Sequence, residues 1–214
     1  MLTIKETDDF QGSGSLVNVL KFAIMKTEHN RDSKHKLTLF VHQFSLRQKN
    51  KTFKRNTSEF EKNLAQMIDN YLKTLPTLIN EFDQQCKILG WHSLTHKTDS
   101  LLLDFFDEID AQIQEEGVIG ILDRVYFAHR VIEELHDRMI CKLGYPVLSW
   151  DMTMANLLVH QMLGTHYSTH LDQTAMELCE KLLVELPEQS EQVQKKATQI
   201  WPCFCEQFDV DMNW

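Results

Sequence analysis

The chain has 214 residues, 43% of them hydrophobic, and a formal net charge of −9, which is enough sequence to bury a core of its own. No apolar run reaches the roughly 20 residues of a membrane span, and the opening MLTIKETDDF has no basic stretch followed by an apolar one, so a secretory signal is not expected. Five Cys without the spacing of a disulfide framework point to a reducing, cytoplasmic setting, and 7 Gly and 4 Pro favour long helices over many short strands.

Residues 1–15 are polar and include Gly12, Ser13, Gly14 and Ser15, which reads as a flexible lead-in. Two apolar runs follow, LVNVLKFAIM and KLTLFVHQFSL, separated by the polar TEHNRDSKH. In the second run Leu37, Leu39 and Val41 alternate with Phe40, His42 and Phe44. That period of two suggests a β-hairpin, with an amphipathic helix over Leu16–Met25 as the competing reading. An isolated hairpin is marginal in water, so it must pack on the rest of the chain or on another chain.

Charge divides the chain at about the same place. Residues 26–55 carry nine Lys and Arg against two Asp and Glu, whereas residues 56–214 carry eleven against twenty-six. A basic arm, residues 1–55, and an acidic body, residues 56–214, should attract each other, within one molecule or between two copies. Arg47, Lys49, Lys51, Lys54 and Arg55 surround Phe53, a pattern that could grip nucleic acid. The acidic body would repel phosphates, and a solvated linker is the preferred reading.

From Ser58 the apolar period becomes helical. Ser58 and Glu61 have capping-box spacing, and Phe60, Leu64, Met67, Ile68, Tyr71 and Leu72 share a face. Pro76 should break or restart this helix, and Gly90 should end its continuation. Trp91–Lys97 reads as a loop. A helix starting at Asp99 or Ser100 presents Leu102, Phe105, Phe106, Ile109 and Ile113, and Gly117 ends it. Its acidic residues Asp104, Asp107, Glu108 and Asp110 read as a solvated face rather than a metal site.

The most informative stretch is 118–143, VIGILDRVYFAHRVIEELHDRMICKL. Ile121, Val125, Ala128, Ile132, Leu135, Met139 and Leu143 form one apolar stripe at about 3.6 residues per turn. His129 and His136 fall inside the stripe, and Glu133 lies on its edge. Glu133 and His136 have the Glu-x-x-His spacing by which di-iron bundles aim two ligands inward, because i and i+3 share a helix face. No second such pair accompanies it. The preferred reading has both histidines hydrogen-bonded within the core and Glu133 reaching solvent.

After Gly144 and Pro146, Ser149 should cap WDMTMANLLVHQML, a helix apolar nearly all round that carries Asn156 and His160. Gly164 ends it. Thr169 should cap the next helix, whose stripe is Leu171, Ala175, Leu178, Leu182 and Leu186, and this would leave His166 outside the helix of His170. Glu188–Trp201 reads as a weaker helix. Cys203 and Cys205 read as two half-buried thiols rather than a metal pair.

The expected fold is therefore mainly α, a bundle of six to seven helices with a small N-terminal β-hairpin or arm. There is no Gly-rich phosphate loop, no Gly-x-Ser-x-Gly elbow and no internal repeat. Three function classes follow. The preferred one is a non-enzymatic interaction or regulatory module acting as a homodimer, with no cofactor. The second is a metal-dependent oxidoreductase binding iron, manganese or zinc through His129, Glu133, His136 and His160. The third is a nucleic-acid binder using residues 47–55.

Overall fold

The structure, a computed structural model, describes residues 14–48, 57–106, 109–183 and 202–208. Among them the chain forms eight α-helices and one short 3₁₀ turn, Phe204–Phe208, with no β-strand. The mainly helical bundle agrees with the sequence; the N-terminal β-hairpin does not. The residues expected to pair as strands form α1 (Gly14–His29) and α2 (Ser33–Gln48).

The physical reason lies in which residues are buried. In α1 they are Leu16, Leu20, Ala23, Ile24 and Thr27, and in α2 Ser33, Leu37, Val41, Phe44 and Ser45. These steps of three and four are helical. Leu39, which completed the alternation, is 46% exposed. Apolar residues on both sides of α2 imitate a strand until packing against a neighbour selects one face. The intervening polar stretch is a tight turn: Asn30 Oδ1 accepts the Asp32 N–H at 3.0 Å, and the Ser33 N–H reaches the Asn30 carbonyl at 3.1 Å. Asn30 Nδ2 also donates to the Ile113 carbonyl at 2.9 Å.

Both helices lie on α3 (Thr57–Ile88) and contribute to the same hydrophobic core as the rest of the chain. Glu28 pairs with Lys73 and His42 with Glu61 across this contact. The expected boundary at residue 55 falls in 49–56, outside the described residues, as does most of the basic 47–55 segment. Residues 1–13 of the 1–15 lead-in and the 188–201 helix lie outside them as well, whereas Gly14 and Ser15 open α1.

Pro76 does not interrupt α3. It removes only the N–H that would meet the Leu72 carbonyl, and the flanking Leu72, Leu75, Leu78 and Ile79 are buried on the core side. Gly90, at φ +74, turns the chain out of α3. The expected loop at Trp91–Lys97 is instead the start of α4 (His92–Phe105). Its inward side is largely polar, so the apolar period gives no sign of it. A second helix, α5 (Ile109–Glu116), completes what the sequence presented as one. Asp104 is exposed, as expected of a solvated face, and the side chains of Asp107, Glu108 and Asp110 lie outside the described set.

Gly117 (φ +65) then packs against Ser33, whose Oγ accepts the Val118 N–H at 3.0 Å. The central helix α6 (Ile119–Leu143) packs on α3, α5, α7 and α8, and every residue of its expected stripe is buried. Gly144 (φ +77) closes it. Ser149 does not cap α7 (Thr153–Leu163). It bonds to Glu81 through its N–H and hydroxyl, while Asp151 Oδ1 accepts the Thr153 N–H at 2.9 Å. Gly164 ends α7, and α8 (Thr165–Leu183) begins at once, so Thr169 is not its cap and His166 shares the helix with His170. Both are exposed. Cys203 is half-buried and Cys205 buried, with burial pushing the Cys205 thiol up to about 12. No described helix is long and apolar enough to cross a membrane.

Candidate functional site

Four helices converge on the residues that stood out in the sequence. His129, Glu133 and His136 all point inward from α6, at 1%, 5% and 0% exposure. Glu133 therefore faces the core and not, as expected, solvent. A buried carboxylate needs charge and hydrogen-bond partners, and it has both. Arg130 Nη1, one turn earlier, donates to Glu133 Oε2, and Asn156 Nδ2 of α7 donates to the same oxygen at 2.7 Å.

The network continues in both directions. Tyr71 Oη of α3 donates to Asn156 Oδ1 at 2.6 Å. Arg130 Nε donates to Asp172 Oδ1 of α8 at 2.9 Å, and Tyr126 Oη donates to the same oxygen at 2.7 Å. His160 Nε2 stands 3.5 Å from Asp172 Oδ2. One guanidinium thus sits between two carboxylates. Burial opposes the charge on Arg130, but Glu133 and Asp172 outweigh it and raise its pKa. Burial raises both tyrosine hydroxyls, with the Asp172 bond adding to the effect at Tyr126.

The two inward histidines are neutral and hold opposite tautomers. The His129 ring stacks on Tyr71 at 4.0 Å, and its Nε2 lies 3.0 Å from the Tyr71 carbonyl. A carbonyl only accepts, so the proton is on Nε2. The Nδ1 lone pair is buried without a hydrogen-bond partner. At His136, Nε2 accepts the Val147 N–H at 3.0 Å, which places the proton on Nδ1. Burial lowers both rings to about 4.

His129, Glu133 and His136 form the polar side of a small cavity whose apolar side includes Leu78, Ile132 and Met152. It has room for about one water molecule. The structure therefore brings three of the four candidate residues together. His160 stands apart from them, on Asp172 at the far end of the network. Among the described residues no three His, Cys, Asp or Glu side chains form a group that could hold a metal ion.

Sequence reasoning missed Tyr71, Tyr126, Arg130 and Asp172 as members. Arg130 lies outside the apolar stripe of α6, and Asp172 lies outside the stripe of the following helix, so neither stands out in the sequence. Asn156 carried the one available signal, an amide on an otherwise apolar helix.

The arrangement defines a helical bundle with a hydrogen-bonded polar core spanning α3, α6, α7 and α8. No protein-family model matches the chain, and neither does any curated protein or solved structure.

Proposed function

We propose that the chain is a non-enzymatic interaction module that associates through the outward side of α1 and α2, with a second copy of itself as partner. One observation carries this reading. Phe22, Met25, Leu39 and Leu46 are 44–51% exposed and make up half of the exposed large apolar side chains among the described residues. All four lie opposite the buried stripes of two adjacent helices. Apolar side chains gathered in this way favour a contact surface over scattered exposure. Lys21, Lys34 and Arg47 are exposed on the same two helices, opposite in sign to the rest of the chain. A two-fold arrangement would set each basic face against the acidic side of the other copy.

Sedimentation velocity over a wide concentration range tests this. The wild type should form a dimer that weakens with added salt. The double variant Leu39→Glu, Leu46→Glu should be monomeric with an unchanged helical circular-dichroism spectrum. A wild type that stays monomeric throughout removes the proposal.

A second reading has an observation of its own. Histidines that bind metals commonly donate their other N–H to a backbone carbonyl, and His129 does so toward Tyr71 while its Nδ1 lone pair is buried without a partner. With Glu133 beside the same cavity, this supports an iron, manganese or zinc site, in which His136 would ligate only by giving up the bond that its Nε2 accepts from Val147. Elemental analysis of untagged protein decides it: about one or two metal ions per chain would favour this reading, and metal-free protein would end it.

A further inference from the structure

Part of the polar core runs around a ring of hydrogen bonds that is open at one place. Tyr71 Oη donates to Asn156 Oδ1, and Asn156 Nδ2 donates to Glu133 Oε2. On the other side of the ring, His129 Nε2 donates to the backbone carbonyl of Tyr71 itself. The two ends are His129 Nδ1 and Glu133 Oε1, carried by side chains one turn apart on α6 that both line the small cavity.

Both ends are acceptors. With its proton on Nε2, His129 has a lone pair at Nδ1, and that atom is buried with no hydrogen-bond partner among the described residues. Both bonds that Glu133 accepts from described residues, from Arg130 and Asn156, fall on Oε2. Neither Tyr71 nor Asn156 lines the cavity. The edges of His129 and Glu133 that meet those partners therefore face away from it, which leaves Nδ1 and Oε1 turned toward it. Two buried acceptors cannot satisfy each other; each needs a donor.

We propose that the cavity is a binding site for one water molecule, which donates one proton to His129 Nδ1 and the other to Glu133 Oε1 and closes the ring across α3, α6 and α7. The space matches, with room for about one water, and ordered buried waters commonly make two to four such bonds. The charge matches as well. Arg130 already pairs with Glu133, and the apolar wall of Leu78, Ile132, Leu148 and Met152 offers a cation nothing in place of its hydration. Water at this position and a metal ion there exclude each other, and neither bears on the outward face of α1 and α2.

A crystal structure of the untagged full-length protein, grown without ammonium salts, tests the site. One density peak should lie about 2.7–3.2 Å from both His129 Nδ1 and Glu133 Oε1. Glu133→Gln separates water from a cation. If the amide oxygen stays on Arg130 and Asn156, the amide N–H₂ takes the place of Oε1. Water can turn, accept from that amide and still donate to His129, so the peak should remain. A cation has no lone pair to offer the amide and should be lost. A second measurement needs no variant: the wild-type melting temperature should be equal in ammonium chloride and in sodium chloride of the same concentration, because a bound ammonium ion would raise it. A wild-type cavity with no peak would overturn the proposal, as would a peak at the roughly 2.0–2.2 Å of a metal–ligand bond. So would loss of the peak in Glu133→Gln, or a melting temperature raised by ammonium alone.

Discussion

Acid should unfold this protein through its two buried histidines. Both rings are neutral in the fold and held near 4 by burial, whereas an imidazole in the unfolded chain titrates near 6.5. The unfolded state thus binds more protons below neutrality. The stability contribution is fully present above about pH 6.5 and is lost as pH falls toward 4. At about 1.4 kcal/mol per pKa unit, each histidine accounts for about 3 kcal/mol. The pair together approaches the whole stability of a typical domain. Asp99 acts in the opposite sense. Its raised pKa means that stability rises as pH falls from about 7 to 3.8, by at most about 4 kcal/mol, and by nearer 2 once screening by Lys87 and nearby water is allowed for. The wild type should therefore lose about 1.4 kcal/mol per pH unit between about pH 6 and 4.5. Removing the opposing group with Asp99→Asn should steepen the slope to about 2.7 kcal/mol per unit. Adding His129→Phe, which can keep the stack on Tyr71, should halve it again. Urea denaturation across this pH range measures all three slopes. A flat wild-type profile, or a slope untouched by His129→Phe, would refute the assignment of two neutral buried rings.

Three further substitutions probe the packing. Ile132→Ala, at a position 1% exposed on α6, should cost about 2–5 kcal/mol, and chemical denaturation showing less than about 0.5 kcal/mol would mean that the residue is not in the core. Glu133→Ala should cost about 3–5 kcal/mol because it leaves Arg130 and Asn156 without their shared acceptor; a simultaneous Arg130→Met should recover part of that loss, and failure to recover any would show the pair is not coupled. Gly117→Ala should destabilise by more than about 1 kcal/mol, since φ is +65 and the new Cβ would lie 2.7 Å from Ser33 Oγ, and a thermal melt equal to wild type would contradict that contact.

Local periodicity was informative wherever one apolar face dominates. The α6 stripe, the glycine ends at Gly90, Gly117, Gly144 and Gly164, and the inward placement of His129 and His136 were all legible for that reason. Where a helix carries apolar residues on two sides, as α2 does with Leu37 and Leu39, the pattern fits a strand equally well, and only contact with α3 decides. Where a helix buries polar residues, as α4 does with Thr95, Thr98 and Asp99, the pattern disappears. The candidate site was half legible by the same logic. Glu133, His129 and His136 share one helix, so spacing placed them together. Their partners come from α3, α7 and α8; Asn156 is 85 residues from Tyr71 and Asp172 is 42 from Arg130, and no local pattern encodes such pairings.

Those distant partners also account for why a polar core is kept where apolar side chains would pack at least as well. A stripe of Ile, Val and Leu on α6 tolerates a neighbouring helix sliding by a turn, because the hydrophobic effect has little direction. Hydrogen bonds do not tolerate it. Asn156 meets Tyr71 and Glu133 at once, and Asp172 meets Tyr126 and Arg130 at once. Moving α7 or α8 by one turn along α6 would strand a buried carboxylate or guanidinium without partners, a cost of several kcal/mol. The network therefore fixes α7 and α8 in register on α6. Replacing Tyr71, Glu133, Arg130, Asn156 and Asp172 together by apolar residues of similar volume tests this: unfolding should remain near wild type in free energy while side-chain amide and methyl resonances broaden as alternative registers become populated. Sharp, single resonances in that variant would show that the apolar packing alone sets the register.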